Sequence, residues 1–185
     1  VPEHSLRRPI SICEIDREAG TLRLVFEIRG EGTKVLSSIE QGSELDLLGP
    51  LGNGFTIYPG KKAVVIGGGI GVPPMLYTMK AAKAAGAQPT AVLGFRNQDA
   101  VILEKDFAAV GTTHICTDDG SYGAHGFVSD LLRLHSDTND FTGVCACGPK
   151  PMLKALAQIA EELGIPCQVS MEERMGCGIG ACLVC

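Results

Sequence analysis

The sequence lacks the features of membrane-spanning and nucleic-acid-binding proteins. It contains no run of about 20 apolar residues, the length that a spanning helix needs, because glycine and proline interrupt its longest apolar stretch, AVVIGGGIGVPPML. Its 16 basic residues are outnumbered by 21 acidic ones, and the formal net charge of −5 argues against a basic face for phosphates. It has no internal repeat and no low-complexity tract. We therefore predict a protein that binds neither a membrane nor a nucleic acid.

Two further motifs are absent. The N-terminal stretch VPEHSLRRPIS contains no apolar core of a signal peptide. No Gly-Lys-Ser/Thr follows the glycine-rich loop that begins at Gly67, which argues against a nucleoside triphosphatase. The chain does not begin with methionine, so a processed protein and a fragment both remain open.

Cysteine is abundant, with eight residues in 185. Several lie in apolar, strand-like runs such as GVCACG and THICTD, which is typical of buried thiols in a reducing compartment rather than of a secreted disulfide framework. We therefore expect a cytoplasmic protein. Cys177, Cys182 and Cys185 differ from the others because they lie in a glycine-rich segment, MGCGIGACLVC.

The hydrophobic pattern changes near Pro59. Up to residue 58, the runs CEID, TLRLVFEIRG and ELDLLGPLG are separated by the turns REAG, GEGT and EQGSE, as in antiparallel strands. From residue 59, five apolar strands alternate with helices, which predicts a five-stranded parallel sheet. We predict three parts: the second half of an antiparallel β-barrel in 1–58, an α/β domain in 59–170, and a cysteine-rich segment in 171–185.

A glycine-rich loop follows the first strand of the α/β domain and opens its first helix. Such a loop lets the backbone turn tightly and approach a diphosphate, while the helix N-terminus offers free N–H groups. The spacing Gly69-x-Gly71-x-x-Pro74 differs from the usual G-x-G-x-x-G, so a tight turn without a ligand remains an alternative. The residues that would hold a nucleotide here are Gly67, Gly69, Gly71 and Pro74.

Three more strands of this domain end in polar or glycine-rich segments. Ligands of open α/β sheets bind outside the carboxyl ends of the strands, so we expect the CACGPKPM turn, at 147–149, to adjoin the glycine loop. CTDDGSYG brings Asp118 and Asp119 to the same edge. GFRN brings Arg96 there, either as a surface cation or as a contact to an adenosine ribose or phosphate.

The C-terminal cysteines are spaced C-x4-C-x2-C, as in plant-type 2Fe–2S ferredoxins. The neighbouring glycines, at 176, 178 and 180, let the loop wrap closely and leave backbone N–H groups free to point at sulfur. Zinc sites more often combine C-x2-C with a second pair elsewhere, so zinc and unliganded thiols are the alternatives. A 2Fe–2S cluster needs four ligands, of which these cysteines supply three.

Two segments of the N-terminal part are candidate anion sites. Arg8 precedes Pro9, which holds it extended beside Ser11, either as a diphosphate clamp or as a surface Arg-Pro pair. GEGT provides Gly30 and Gly32 for a hairpin turn or for an anion-binding nest.

The order RPIS, GEGT, GPLGNGF, GGGIGVPPM and CGPKPM resembles the ferredoxin–NADP reductase superfamily, in which a flavin-binding barrel precedes a nicotinamide-binding domain. With CGIGACLVC added, nearly the whole chain is similar to the electron-transfer subunits of class 1B dihydroorotate dehydrogenase. That family has a further half-barrel before LRRPIS and a further segment, with a fourth cluster ligand, after the cysteines.

The resemblance implies which residues bind each cofactor. The family usually has Tyr-Arg where this chain has Phe26 and Glu27, which puts their side-chain contacts in question. Cys147 would lie beside the nicotinamide, although a buried inert thiol is an equal alternative. The implied FAD contacts are Arg8, Pro9, Ile10, Ser11, Val25, Phe26, Glu27, Gly32 and Thr33. The implied NAD(H) contacts are Gly67, Gly69, Gly71, Pro74, Cys147, Gly148 and Pro149, and the implied cluster ligands are Cys177, Cys182 and Cys185.

The implied function is electron transfer from an FMN-containing dihydroorotate dehydrogenase subunit, in a heterotetramer of two plus two chains, through a 2Fe–2S cluster and FAD to NAD⁺. A flavin is needed between them because a hydride carries two electrons and a cluster accepts one. The alternatives are a reductase subunit of another pathway, serving ferredoxin, sulfite reductase or a hydrogenase, and a non-redox nucleotide-binding or zinc module. Asp118 and Asp119 favour NAD over NADP, while Arg96 favours the opposite.

Overall fold

The computed structural model describes residues 6–59, 62–135 and 141–184. In the N-terminal half, β1 (Ile12–Asp16) and β2 (Thr21–Leu24) form a two-stranded antiparallel sheet. Asp16 closes the turn between them, because its Oδ1 accepts hydrogen bonds from the N–H groups of Glu18 and Ala19 at 3.0 and 2.9 Å. This side-chain geometry is the reason that aspartate is favoured in turns, and the expected antiparallel hairpin is present.

The rest of the N-terminal half departs from the predicted strands. GEGT begins α1 (Glu31–Ser37), so the hairpin-turn alternative for it was wrong. The predicted strand ELDLLGPLG, at 44–52, forms no strand. A strand needs a neighbour for its backbone groups, and among the described residues of this half only β1 and β2 pair. The four leucines of the segment are accordingly exposed, namely Leu45, Leu47, Leu48 and Leu51.

The C-terminal half is a parallel sheet covered by helices. Its strand order is β6-β5-β4-β3-β7-β8, with a parallel partner at every pairing. No helix within the described ranges is long and apolar enough to cross a membrane. In chain order the elements are β3 (Lys62–Gly68), α2 (Val72–Ala84), β4 (Gln88–Phe95), α3 (Glu104–Val110), β5 (Thr112–Thr117), β6 (Ala124–His125), α4 (Val128–His135), β7 (Phe141–Cys147), α5 (Lys150–Glu162) and β8 (Cys167–Ser170).

The sheet has six strands, and the prediction of five was wrong. The additional strand, β6, consists of Ala124 and His125, which pair with the end of β5. The chain turns back through Gly123, which has a φ of +67° and lies so close to the Ile115 carbonyl oxygen that a Cβ would collide with it. A two-residue strand has neither an apolar run nor an alternating pattern, so the sequence carries no signal for it.

Alternate residues of β3 face opposite layers of helices. Val65 belongs to a cluster with Met75 of α2 and Phe107 of α3. Val64 and Ile66 belong to a second cluster, formed with α4 and α5. The continuous apolar run of the first strand follows from this arrangement, because a strand covered on both faces has no solvent-facing positions.

The two halves pack against each other. Cys13 of β1 is fully buried in the cluster formed by α2 and α3, and Val25 and Phe55 pack against the same cluster. Gln168 of β8 adds a polar link, because its side-chain amide accepts a hydrogen bond from the Thr56 N–H at 2.8 Å and donates one to the Thr56 carbonyl oxygen at 2.9 Å. The hairpin and the linker that precedes the α/β half, at residues 55–58, therefore have a fixed place on the α/β half, while the domain boundaries at 58 and 170 stay predictions.

Candidate functional site

The glycine loop after β3 is packed against the turn after β7. Gly71 lies directly on the Cys147–Gly148 peptide, since a Cβ on it would collide with the Cys147 carbonyl oxygen and lie 2.7 Å from the Gly148 nitrogen. Gly67 is equally close to the start of α2, where a Cβ would lie 2.7 Å from Val72 Cα. The structure thus brings together the two segments that were predicted separately as nucleotide contacts.

Gly69 differs from its neighbours in the loop. Its φ of +53° lies in the left-handed region that favours glycine, and no atom lies within 4 Å of the place that a Cβ would take. It therefore presents open backbone at the carboxyl edge of the sheet, just before the N-terminus of α2. Pro73 and Pro74 occupy the first turn of that helix, where a missing N–H costs no hydrogen bond. This geometry suits the close approach of a diphosphate.

Met152 of α5 fills the space between the loop and the turn. Its Sδ lies 2.5 Å from the position of a Cβ on Gly68, and its Cε lies 2.5 Å from the corresponding position on Gly148. A side chain at either glycine would therefore displace the end of Met152. Of the four glycines in the loop, only Gly69 has open space at its Cβ position, while the assignment of the loop glycines as nucleotide contacts stays a prediction.

Cys147 lies half-buried at the end of β7, beside two polar residues that were not singled out from the sequence. Ser170 is its partner in the register of β8 and hydrogen-bonds to its thiol, and the Glu172 carboxylate is close enough to act on it. Burial is the largest cause that raises the pKa of this thiol. The thiol is therefore protonated at neutral pH, so Cys147 offers an uncharged packing surface rather than a nucleophile. Ser170 and Glu172 are recognised as neighbours of Cys147 only from the tertiary structure, because β8 pairs with β7.

Arg29 connects the N-terminal half to the segment beside Cys147. Its Nη1 lies 3.7 Å from Glu172 Oε2, and its Nε donates a hydrogen bond to Glu27 Oε2 at 2.8 Å. The Glu27 hydrogen bond is the largest cause that raises the pKa of Arg29. The charge of Glu27, which stands where the resembling family has arginine, is thus compensated within the chain.

The loops after β4 and β5 are joined at the same carboxyl edge. The N–H of Asp118 donates to the Phe95 carbonyl oxygen at 3.0 Å, and the N–H of Asp119 donates to the Arg96 carbonyl oxygen at 3.4 Å. The Ser121 hydroxyl, at 2.6 Å from Asp119 Oδ1, is the largest cause that lowers the pKa of Asp119. Two acidic residues and Arg96 therefore lie where adjacent strands end.

Arg8 and Gly32 are in direct contact. Arg8 Nε and Nη2 lie 2.6 Å from the position of a Cβ on residue 32, so a side chain there would displace the guanidinium. Arg8 Nη1 also donates to the Leu6 carbonyl oxygen at 2.5 Å. The RPIS and GEGT segments, predicted separately as flavin contacts, are thereby adjacent. An exposed guanidinium beside backbone without a side chain suits an anionic group such as a diphosphate.

The other predicted flavin residues lie between and beside these two segments. Val25 packs against the shared cluster, so its backbone is the part left for a ligand. Thr33 Oγ1 accepts hydrogen bonds from the N–H groups of Arg29 and Gly30, at 3.0 and 3.2 Å, and so shapes the start of α1. Ile10 and Phe26 are half-buried, while Pro9, Ser11 and Glu27 are exposed.

Cys177 and Cys182 lie together in the C-terminal loop. The Cys177 N–H donates to Cys182 Sγ at 3.3 Å, and Gly176 makes room, since a Cβ there would lie 2.8 Å from the same sulfur. Hydrogen bonds to Cys177 Sγ, first from the Ile179 N–H and next from the Cys182 thiol, lower the pKa of Cys177 to about 6. Cys177 is therefore largely a thiolate at neutral pH, the form that binds a metal.

The third predicted ligand, Cys185, lies outside the described residues. Within the described ranges, no group of three or more histidine, cysteine, aspartate or glutamate side chains is placed to hold a metal ion. All seven cysteines of those ranges are free thiols. Two convergent sulfurs supported by backbone N–H groups are nevertheless the donor set that iron–sulfur groups use.

One contact joins the N-terminal half to the cysteine loop. Gly178 has a φ of +75°, and a Cβ on it would lie 2.9 Å from Leu51 Cδ1 and 3.0 Å from Met175 Sδ. From the sequence, Gly178 was expected only to free N–H groups, and Leu51 was not singled out. No local pattern relates residues 51 and 178, so only the folded chain shows the contact.

Known proteins share this arrangement. The family model of the oxidoreductase NAD-binding domain matches residues 65–158. The electron transfer subunit of dihydroorotate dehydrogenase B (NAD(+)) from Bacillus caldolyticus is 45% identical over 183 residues, which are 97% of this chain and 70% of the relative. The subunit of the same name from Shouchella clausii is 47% identical over 184 residues, 97% of this chain and 69% of the relative.

The chain belongs to the family of these dihydroorotate dehydrogenase B electron transfer subunits. A solved structure of NADH-dependent reduced ferredoxin–NADP oxidoreductase, a flavin-based electron-bifurcating enzyme, has a TM-score of 0.89 and 32% identity over 97% of this chain and 66% of the other. The expected oxidoreductase function in electron transfer and the expected superfamily are confirmed. The family name also implies a catalytic partner subunit.

The groups expected for this family are NAD(H), FAD and a 2Fe–2S cluster. The open backbone at Gly69 fits a dinucleotide diphosphate, and the Arg8 guanidinium on Gly32 fits a second one. The convergent sulfurs of Cys177 and Cys182 fit part of a cluster site. Each group therefore has residues of suitable chemistry in this chain.

Proposed function

We propose that this chain passes electrons from a partner that oxidises dihydroorotate, through a 2Fe–2S cluster and FAD, to NAD⁺. The position of the segment after β8 is the observation that carries the proposal. Glu172 acts on the Cys147 thiol and lies 3.7 Å from Arg29 of the N-terminal half. Cys177 follows in the same segment. One short stretch of chain thus adjoins the nucleotide turn, the proposed flavin half and the cysteine loop.

The proposed NAD(H) site follows the carboxyl edge of the parallel sheet. Gly69 and the N-terminus of α2 would hold the diphosphate, and Cys147 would lie beside the nicotinamide. The Cys147 thiol is protonated, so it offers a small polarizable contact without competing as a nucleophile. The proposed contacts are Gly67, Gly69, Gly71, Pro74, Cys147, Gly148 and Pro149.

The proposed FAD site lies on the N-terminal half. Arg8 and Gly32 would hold the diphosphate, supported by their direct contact. When bound, a flavin would supply the exchange between single electrons, as a cluster delivers them, and the electron pair of a hydride, as NAD⁺ takes it up. The remaining proposed contacts are Pro9, Ile10, Ser11, Val25, Phe26, Glu27 and Thr33.

The proposed cluster ligands are Cys177, Cys182 and Cys185. The Cys177 N–H that donates to Cys182 Sγ at 3.3 Å supports this assignment, because such hydrogen bonds help to set the reduction potential of iron–sulfur groups. Leu183 and Val184 are exposed next to Cys182. We propose an FMN-containing catalytic subunit as the partner, in a cytoplasmic heterotetramer of two plus two chains.

Preference for NAD over NADP is proposed from the two carboxylates at the ends of β4 and β5. Asp119 has a lowered pKa and is ionised at neutral pH. An additional phosphate on the adenosine ribose would meet this negative charge if it approached the loop, since like charges disfavour binding. Replacing Asp118 and Asp119 by asparagine should therefore reduce the ratio of NADH to NADPH activity.

A second candidate is a reductase subunit that exchanges electrons with ferredoxin or NADP. The likeness to the solved ferredoxin–NADP oxidoreductase, at 32% identity, favours it. Both candidates use the same cofactor sites and differ in the electron donor.

Reconstitution with alternative donors separates the two candidates. The flavin-loaded and iron-loaded protein is mixed with the dihydroorotate-oxidising subunit and dihydroorotate, and in parallel with reduced ferredoxin. The proposal predicts that only the first mixture reduces NAD⁺ rapidly. Reduction by ferredoxin alone, with no response to dihydroorotate and the partner, would establish the second candidate instead. Iron and acid-labile sulfide assays on the same sample show whether the cluster is present.

A further inference from the structure

Leu51 occupies the space that a side chain on residue 178, a glycine, would need. Its Cδ1 lies 2.9 Å from the position that a Cβ on Gly178 would take, and Met175 Sδ lies on the same position at 3.0 Å. Leu51 belongs to the GPLGNGF segment of the N-terminal half, whereas Gly178 immediately follows Cys177. The side chain of Leu51 therefore reaches across from the proposed flavin half and rests on the cysteine loop.

The loop beneath Leu51 is the one that brings the two cysteines together. The Cys177 N–H, one residue before Gly178, donates to Cys182 Sγ at 3.3 Å. Gly178 has a φ of +75°, which turns the loop in a way that an L-residue adopts only with strain. The side chain of Ile179 is 64% exposed, so it does little to anchor the loop. Leu51 and Met175 are the packing contacts that the structure provides at this point.

We propose that Leu51 is a positioning residue of the cluster site, which holds Gly178 in its left-handed conformation and so keeps the Cys177 N–H on Cys182 Sγ. The inference rests on the proposed function, because it concerns the group that Cys177 would hold. N–H···S hydrogen bonds and solvent exposure both tune the potential of an iron–sulfur group. Leu51 thus connects the cysteine loop by a packing contact to the half of the chain that would bind the flavin.

The first test measures amide exchange in the peptide that spans residues 175–182, by mass spectrometry, in the purified chain. Leu51→Ala should raise its exchange rate about tenfold, because the loop loses the packing contact at Gly178 and the Cys177 N–H is no longer held on Cys182 Sγ. Leu48→Ala is the matched control, since it removes the same atoms from a leucine of the same segment that is 48% exposed, against 41% for Leu51. Leu51→Ile should keep the slow exchange of the wild type.

A double-mutant cycle isolates the contact. Gly178→Ala strains the backbone both in the wild type and in Leu51→Ala. Its Cβ collides with the leucine side chain only in the wild type. The increase in exchange caused by Gly178→Ala should therefore be smaller in Leu51→Ala than in the wild type. Equal increases in both backgrounds would contradict the proposed contact.

The second readout is the cluster itself. In the iron-loaded protein, Leu51→Ala should lose iron to a chelator several-fold faster than Leu48→Ala, and its cluster potential should shift while the flavin potential does not. Identical behaviour of the two alanine variants in exchange and in iron loss would overturn the inference. A wild-type protein that binds flavin but no iron would contradict the 2Fe–2S cluster in the proposed function. The exchange comparison would still decide the role of Leu51, because the chain makes that contact by itself.

Discussion

The guanidinium of Arg23 on β2 lies 2.6 Å from the carboxylate of Asp106 on α3, and this ion pair spans the two halves of the chain. Arg23 also lies 3.5 Å from Glu14, and Glu14 pairs with Lys80 of α2. Charges of alternating sign therefore run from α3 across the hairpin to α2, close to the fully buried Cys13. Apolar packing is not directional, so these pairs help to fix the angle of the hairpin on the α/β half.

Arg23→Gln should lower the free energy of unfolding by about 1 kcal/mol, because the ion pairs are partly exposed and such pairs contribute little each. Urea unfolding measures the change, with Arg17→Gln, an exposed arginine of the turn after β1, as the control. In a double-mutant cycle with Asp106→Asn, the double variant should lose less free energy of unfolding than the sum of the losses in the two single variants. Strict additivity would show that the pair does not contribute.

Stability should also depend on pH through Glu14. The hydrogen bond from Lys80 is the largest cause that lowers the pKa of Glu14 in the folded chain. A depressed folded pKa means that the contribution is present above the unfolded pKa of a glutamate and is lost as the pH falls through the folded value. Glu14→Gln should therefore destabilise the protein at neutral pH, and its effect should shrink at an acidic pH below the usual pKa range of glutamate. Urea titrations at both pH values check this.

Gly71→Ala should destabilise the α/β half by about 2 kcal/mol or more, because the new Cβ would collide with the Cys147 carbonyl oxygen and backbone cannot move as a flexible side chain can. Binding of NAD(H) should weaken as well, since the loop and the Cys147 turn must separate. Gly54→Ala is the control, because no atom lies within 4 Å of its Cβ position. Calorimetric titration with NADH and thermal unfolding measure the two effects, and a fully stable Gly71→Ala would show that the contact is not tight.

Thiol reactivity should differ sharply between Cys177 and Cys147. In the iron-free protein, Cys177 has a pKa of about 6, so its alkylation by iodoacetamide should rise with pH around that value and level off above neutral pH. Burial raises the pKa of Cys147, so it should react slowly at neutral pH. Mass spectrometry of the labelled peptides gives both rates. Equal labelling of the two thiols would contradict the assignment of hydrogen bonds in the cysteine loop.

Gln168→Ala should cost about 1–2 kcal/mol, because it leaves the Thr56 N–H and carbonyl oxygen without their side-chain partner. Gln158→Ala, on the exposed face of α5, is the matched control. Limited proteolysis near the linker should become faster in the first variant only. An unchanged cleavage rate would mean that packing at Phe55 holds the linker without the amide.

Much of the C-terminal half could be predicted from the sequence, because its signals are local. The apolar run KKAVVIGG, the glycines after it and the proline pair at the start of α2 indicate a strand, a loop and a helix without reference to distant residues. The two-residue β6 could not be predicted in this way, because too few residues carry its pattern. In the N-terminal half, the strand predicted at 44–52 failed because alternation alone does not supply a pairing partner.

The sequence by itself determined the βα order, the glycine loop, the CGPKPM turn and the cysteine spacing, since each depends on residues close together in the chain. Only the tertiary structure decided which of them meet. It placed Gly71 on the Cys147 peptide, Arg8 on Gly32, and Leu51 on Gly178. These contacts join residues from 24 to 127 positions apart, and they depend on how the sheet, the hairpin and the C-terminal loop pack. Local propensity contains no information about such packing, whereas burial and steric exclusion in the folded chain select it.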